Sequence, residues 1–336
     1  MEKREMGTLP NQISSVEALD ELLSRPSEGL IASMKELDGD IMIVGGGGKI
    51  GPTMVRMAKR AVDAAGVDKK VMAVDLFELP QLEAMGVETF QCDMMDQAAV
   101  DQLPDVKNVV YMVGRKFGST GSESVTWAVN CIVAYHAARK FQGSRIAAFS
   151  TGCVYPVMDI RTGGATEQTT PAPVGEYAMS CLGRERMFDV FADQGKADVI
   201  HIRLNYAVEC RYGVLFDVAT QVWNGEPVDV TTGYANVIWQ GDACSQVLES
   251  LSQASNPATI LNVTGPEMFS IRQAAISFGE FMGKEATFCG EENGMGYLNN
   301  ASKANGLFGN PSVPLLKIIE WTANWVMSGG ENLGKP

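Results

Sequence analysis

The chain has 336 residues, 46% hydrophobic and 20% charged, and its 40 acidic side chains outnumber 27 basic ones to give a net charge of −13. Such a composition suits a globular enzyme with a sizeable core, and the acidic surface argues against nucleic acid or an anionic membrane as partner, since both need clustered basic residues. Two histidines, His136 and His201, are too few for a histidine-rich metal site, and seven scattered cysteines without a C-x-x-C pair fit free thiols in a reducing compartment. The opening Met1-Glu-Lys-Arg-Glu leads into polar residues with no apolar core of a signal peptide, and no apolar run nears the ~18–20 residues that span a bilayer. A cytoplasmic protein is expected.

Residues 1–39 form an N-terminal extension with two short helices, one capped by Ser15 and running to Leu23, the other starting at Ser27 and ending near Leu37. A packing arm or dimer contact is the plain expectation, a substrate lid the sharper one. From Asp40 the pattern alternates in the βαβ manner. Strands are expected at 41–45, 71–75, 88–92, 108–113, 145–150 and 198–203, with helices at 50–65, 96–103, 122–141 and 174–193 between them. Runs such as Val71-Met-Ala-Val and Ile146-Ala-Ala-Phe are nearly continuous in apolar residues, as strands covered by helices on both faces are. The reading is an α/β fold of Rossmann type, a doubly wound parallel sheet over residues 40–205. Beyond residue 205 a smaller substrate lobe, 206–336, discontinuous with the core, is expected. Its helices fall near 212–223, 241–253, 270–282 and 315–327, its short strands near 228–230 and 259–263, and its loops across 290–310.

Ile41-Met-Ile-Val runs straight into a G-x-x-G-x-x-G turn at Gly45, Gly48 and Gly51. Glycine at the first position permits a tight turn, at the second lets the backbone approach a pyrophosphate, and at the third lets helix and strand pack closely. Lys49 and Ile50 lie inside this loop, where Lys49 either adds a phosphate contact or points to solvent. Asp75 closes the second strand, 24 positions after Gly51. Its carboxylate suits an adenosine ribose and would repel a 2′-phosphate, which favours NAD over NADP. Asp93, after the third strand, either touches the adenine edge or is an ordinary turn residue.

Beyond the glycines the chain resembles the extended short-chain dehydrogenase/reductases, the NAD-dependent epimerase/dehydratase family. The likeness is carried by Phe149-Ser-Thr-Gly-Cys-Val-Tyr155, by Glu167-Gln-Thr-Thr-Pro-Ala-Pro-Val-Gly-Glu-Tyr177, by Trp239-Gln-Gly-Asp242, by Leu261-Asn-Val-Thr-Gly265 and by Phe281-Met-Gly-Lys284. It implies that Tyr177 is the acid/base tyrosine acting on a sugar hydroxyl or carbonyl while hydride passes to or from nicotinamide. Thr151 is then the hydroxyl that binds the same oxygen, with Ser150 as its back-up. Asn130 helps hold its helix and a water near the site. The resemblance further implies a small-molecule substrate related to a sugar, and a homodimer formed through the helices at 122–141 and 174–193.

The chain departs from the family at one decisive place. Tyr177-Ala-Met-Ser-Cys181 puts cysteine where the lysine of a Tyr-x-x-x-Lys pair belongs. A free tyrosine, with a pKa of about 10, needs a nearby cation to work at neutral pH, and cysteine supplies none. Three readings follow. Another cation substitutes, either Arg184 one turn beyond Cys181 or Arg115-Lys116 after the fourth strand. Alternatively the protein binds NAD as a redox sensor or scaffold without turnover. In the third reading Cys181 is itself a nucleophile. Arg203-Leu-Asn-Tyr-Ala-Val and Tyr111-Met-Val-Gly-Arg-Lys also differ from the family, which points to a substrate other than the common nucleotide sugars. Arg211 either binds an anionic group or merely starts the next helix.

Overall fold

A computed structural model describes residues 9–116, 118 and 120–334; the first residues of the N-terminal extension, with the segment read as lacking a leader, lie outside them. Seven parallel strands make the central sheet: β1 (Ile41–Val44), β2 (Val71–Asp75), β3 (Glu88–Gln91), β4 (Asn108–Tyr111), β5 (Arg145–Thr151), β6 (Asp198–Leu204) and β7 (Thr259–Val263). Their order is β7-β6-β5-β4-β1-β2-β3, with Val44 paired to Val74 on one side and Tyr111 on the other. The strand order reverses between β1 and β4, and in such sheets the crevice at that point is where ligands bind.

Successive side chains of each strand point to opposite faces, and two cores record it. Ile41, Ile43, Val71 and Ala73 join one core with the helix α3 (Gly51–Ala65), whereas Met42, Val44, Met72 and Val74 join the other with Val133–Lys140 and Phe188 of Glu176–Ala192. This is why the strands read as unbroken apolar runs. The expected strand at 259–263 belongs to this sheet as β7 and not to the lobe, because residues 205–258 leave the sheet after β6 and return to pair beside it.

The lobe's own core gathers helices Val214–Asn224, Ile271–Met282 and Leu315–Met327 around Trp239 and Trp321, whose rings meet edge to face at 5.3 Å. The span 290–310 is more ordered than its Gly/Asn content suggests. It carries a strand, Met295–Tyr297, and a helix, Ser302–Phe308.

Both helices of the extension form, α1 (Val16–Leu23) and α2 (Glu28–Glu36), capped by Ser15 and Ser27. Leu30 and Met34 enter the sheet's core while Leu19, Leu22 and Leu23 enter that of the lobe. Asp20 pairs with Arg56 of α3 at 2.8 Å and with Arg211 at 3.1 Å. The extension thus clamps the two parts together.

Candidate active site

Three glycines shape the loop between β1 and α3, each for its own reason. Gly45 has φ +96°, and a Cβ there would lie 3.1 Å from the backbone nitrogen of Val113. At Gly51 a Cβ would collide with the carbonyl of Gly46, so α3 packs directly on the loop. Gly48 is exposed and open. Ile50 stands at the N-cap of α3 and packs on the core; the helix has no side-chain cap and no acidic residue in its first turn. The positive end of α3 is therefore presented at the loop, a cradle suited to a pyrophosphate.

Asp75 adjoins that cradle, its Oδ2 accepting the Gly47 N–H at 2.8 Å and its Oδ1 that of Phe77 at 3.3 Å. Asp93 is exposed, and its Oδ1 accepts the Met95 N–H at 2.9 Å in a turn. Lys49 donates to the carbonyl of Gly334 and lies 5.2 Å from the centre of the Tyr212 ring, so the C-terminal tail borders the loop. Arg211 is buried among Glu209, Asp20 and Glu331 and serves the fold.

Tyr177 stands in the first turn of the Glu176–Ala192 helix, and the Thr151 hydroxyl at the end of β5 lies near enough to its phenol to pull its pKa down slightly. Cys181, one turn further along and fully buried, lies beside the same phenol. Burial pushes the Tyr177 pKa well above its ordinary value and Cys181 adds to the rise, while Arg184 pulls it down without cancelling either. Burial raises the Cys181 thiol too. Both groups are protonated at neutral pH.

Arg184, only 5% exposed, runs beneath this pair. Its Nη1 donates to the Phe149 carbonyl at 2.9 Å, its Nη2 donates to Oδ1 of Asn130, and its Nε has no partner. Among the described residues no carboxylate pairs with it; the ionisable groups that act on it most are Cys181, Tyr111, Tyr177 and Cys131. A Cβ at Gly114, at the exposed end of β4, would collide with the guanidinium, so this glycine makes room for it. A lone buried cation is costly unless something else uses it.

Asn130 lies in a π-helical turn, Ala128–Ile132, inside the helix after β4. Its carboxamide accepts the Arg115 N–H at 2.9 Å and donates to the Arg115 carbonyl and to Ser180 Oγ at 2.8 Å. It ties the loop after β4 to Arg184 and to the tyrosine's helix. Ser150 faces elsewhere: its hydroxyl donates to Glu185 Oε1 at 2.6 Å, and Glu185 holds Arg203 through bonds of 2.9 and 2.8 Å. Tyr177, Thr151, Cys181, Arg184 and Asn130 thus come together, and Ser150 braces a buried ion pair behind them.

Some residues at this edge had no signal in the sequence. Among the described residues Tyr206 is the one non-glycine with a positive φ, +46°, a conformation that costs energy and clusters at functional sites. Asn205, Asn236 and Asn262 anchor the lobe to the strand ends, as when Asn205 Nδ2 donates to Asn236 Oδ1 at 2.9 Å.

A family model, described as the NAD dependent epimerase/dehydratase family, matches residues 41–228. The chain belongs to that family. It is an enzyme of the epimerase/dehydratase type with NAD as cofactor, and the loop at Gly45–Gly51 with Asp75 fits that dinucleotide. Solved structures share the fold at low identity. The UDP-glucose 4-epimerase of Thermotoga maritima, with UDP-glucose, is 16% identical with a TM-score of 0.70 over 86% of this chain and 99% of that one. A UDP-glucuronic acid 4-epimerase from Bacillus cereus in complex with NAD is 17% identical, TM-score 0.70, over 86% and 96%. The UDP-glucose 4-epimerase of Thermus thermophilus, complexed with NAD, is 18% identical, TM-score 0.69, over 85% and 98%. No curated protein matches the chain.

Proposed function

We propose that this family member is an NAD-dependent epimerase or oxidoreductase acting on a nucleotide sugar, sugar or related polyol. Tyr177 is its acid/base, Thr151 orients the reacting oxygen, and Arg184 is the cation in place of the missing lysine. The observation that carries the reading is the buried guanidinium of Arg184, paired with no carboxylate among the described residues, close to neighbouring Tyr177 and Thr151.

Bound NAD supplies the acceptor and donor of hydride, and its oxidised ring adds positive charge. Everything else falls to the protein. Tyr177 holds a proton on its phenol oxygen and gives it to a carbonyl oxygen as negative charge grows there, or takes it back from an alcohol. Thr151 points a hydroxyl at the same oxygen. Arg184 favours the phenolate electrostatically when the proton leaves, and Asn130 fixes the guanidinium. Cys181 lends volume and no charge.

The neighbours bound to UDP-glucose and NAD support a nucleotide sugar as the first substrate class to test. Exposed Val125, Trp127, Ile132 and Tyr135 along one helix, with Val190 on the other, support a homodimer through these two helices. No helix among the described residues is long and apolar enough to cross a membrane.

The test is incubation with NAD and a panel of nucleotide sugars, free sugars and sugar acids, following both NADH absorbance and sugar epimers. Tyr177→Phe should lower turnover by roughly a hundred- to ten-thousand-fold with NAD affinity little changed. Equal turnover in the variant would refute the assignment. NAD binding with no product from any sugar would favour the sensor reading.

A further inference from the structure

We infer that the carboxamide of Asn299 is a hydrogen-bonding contact for a hydroxyl group of the bound substrate, carried to the reacting end of the site by the C-terminal lobe. The inference rests on the reaction proposed above and concerns the recognition half of the same site.

Five asparagines crowd the junction between lobe and strand ends, and four spend their side chains on structure. Asn205 donates to Asn236 and to the Tyr297 carbonyl, each at 2.9 Å. Asn236 donates to the carbonyls of Gly265 and Asn299, at 3.0 and 2.7 Å. Asn262 donates to the Ala165 carbonyl at 2.9 Å and accepts from Tyr155 Oη at 2.9 Å. Asn300 donates to the Gly163 carbonyl at 3.1 Å and accepts the Ser302 N–H at 2.9 Å.

Asn299 is different. It is 1% exposed, and among the described residues neither its Oδ1 nor its Nδ2 has a partner. Its backbone is held on both sides nonetheless: the N–H donates to Asn236 Oδ1 at 3.3 Å, the carbonyl accepts from Asn236 Nδ2 at 2.7 Å, and a bridge joins it to Ala165. A buried amide left without partners forfeits on the order of 1–3 kcal/mol, so a sequence serving the fold alone would place an apolar residue here.

A second observation says where the amide points. A Cβ on Gly152 would lie 2.7 Å from Nδ2 and 2.9 Å from Oδ1 of Asn299. The φ of Gly152 lies outside the left-handed region, so space and not backbone freedom calls for glycine. Gly152 directly follows Thr151 and precedes Cys153, whose thiol acts electrostatically on Tyr177, Tyr206 and Tyr297. The fixed, unpartnered amide is therefore pressed against the very turn that presents the reacting hydroxyl. A carboxamide is both donor and acceptor, as is a sugar hydroxyl, and the match satisfies both.

Asn299→Leu keeps the volume and removes the polarity. Thermal unfolding of the variant, its NAD affinity, and UDP-glucose binding to the NAD-loaded protein decide the matter. The expected result is a Tm equal to or above wild type, unchanged NAD affinity and roughly ten-fold weaker UDP-glucose binding. Gly152→Ala, which intrudes on the amide, should weaken the same binding. A Tm several degrees lower in Asn299→Leu, or UDP-glucose binding equal to wild type, would overturn the inference. Wild type that binds no sugar nucleotide counts against a nucleotide sugar as the substrate of the proposed reaction, and the stability of Asn299→Leu then still separates an amide kept for a ligand from one kept for the fold.

Discussion

The guanidinium of Arg184 lies behind Gly114 in space that any side chain at position 114 would fill. Gly114 ends the stretch after β4 and Arg184 sits seven residues beyond Tyr177, so the two meet only once β4 and the tyrosine's helix have packed. The pairing turns a departure from the family pattern into a mechanism for charge near the phenol.

Replacing Arg184 by Met separates its two effects. A buried cation without a carboxylate weakens the fold, so an apolar side chain of similar size should leave the Tm unchanged or raised. Turnover should fall at least ten-fold. A variant both less stable and fully active would remove Arg184 from the reaction.

Gly114→Ala acts on the same group from the other side. The added methyl displaces the guanidinium, at a cost of about 1–3 kcal/mol for an overpacked site. Activity should drop as in Arg184→Met, and combining the two should restore the stability lost in Gly114→Ala alone, which thermal unfolding would reveal.

The glycines of the nucleotide loop should separate in the same way. Gly48→Ala adds a methyl to an open surface, so the protein folds and its NAD affinity falls. Gly51→Ala drives a methyl into the Gly46 carbonyl and should damage folding first. Calorimetry with and without NAD distinguishes them; equal NAD affinity in Gly48→Ala would place the pyrophosphate elsewhere.

Glu185 connects the site to acid stability. Burial raises its pKa, but hydrogen bonds from Arg203 and Ser150 and the charges of His201 and Arg203 more than offset this, leaving it below the ordinary 4.5. A lowered carboxyl pKa stabilises the folded state above the unfolded value and loses that contribution as pH falls through the folded one. Glu185→Gln should therefore destabilise near neutrality by about 3–5 kcal/mol, because it strands Arg203. It should also flatten the loss of stability below pH 4.5, which denaturant titrations across that range would detect.

The exposed apolar strip on the helix after β4 offers a further test. Ile132→Asp should turn a dimer into a monomer in sedimentation velocity while the monomer keeps its NAD affinity.

Much of this was legible in the residues. Most of the first six strands announced themselves because two-sided burial forces apolar runs, β3 at the sheet's edge (Glu-Thr-Phe-Gln) being the exception, and the spacing of Gly45, Gly48 and Gly51 placed the loop. Tyr177 and Thr151 were named through the likeness to the family's motifs, and the structure brings the two near each other. What stayed hidden is non-local. β7 looks like any short strand until β6 is there to pair with it. Ser150 is indistinguishable from a catalytic back-up until Glu185, on a different element, claims its proton. Asn299 sits in a stretch whose composition reads as loop, and whether an amide is partnered cannot be seen from neighbours along the chain.

β6 and β7 are adjacent in the sheet but far apart along the chain: the lobe's helix Val214–Asn224 lies in the interval, and its helices Ile271–Met282 and Leu315–Met327 follow β7. In chain order the lobe is part insertion and part appendage, divided by β7. Cutting after residue 205 would not release a self-sufficient nucleotide-binding half: it would strip the sheet of its last strand and bare the β6 edge to other chains. The two parts should accordingly melt in one transition, and any opening of the lobe during turnover must bend the chain after β6 and on both sides of β7.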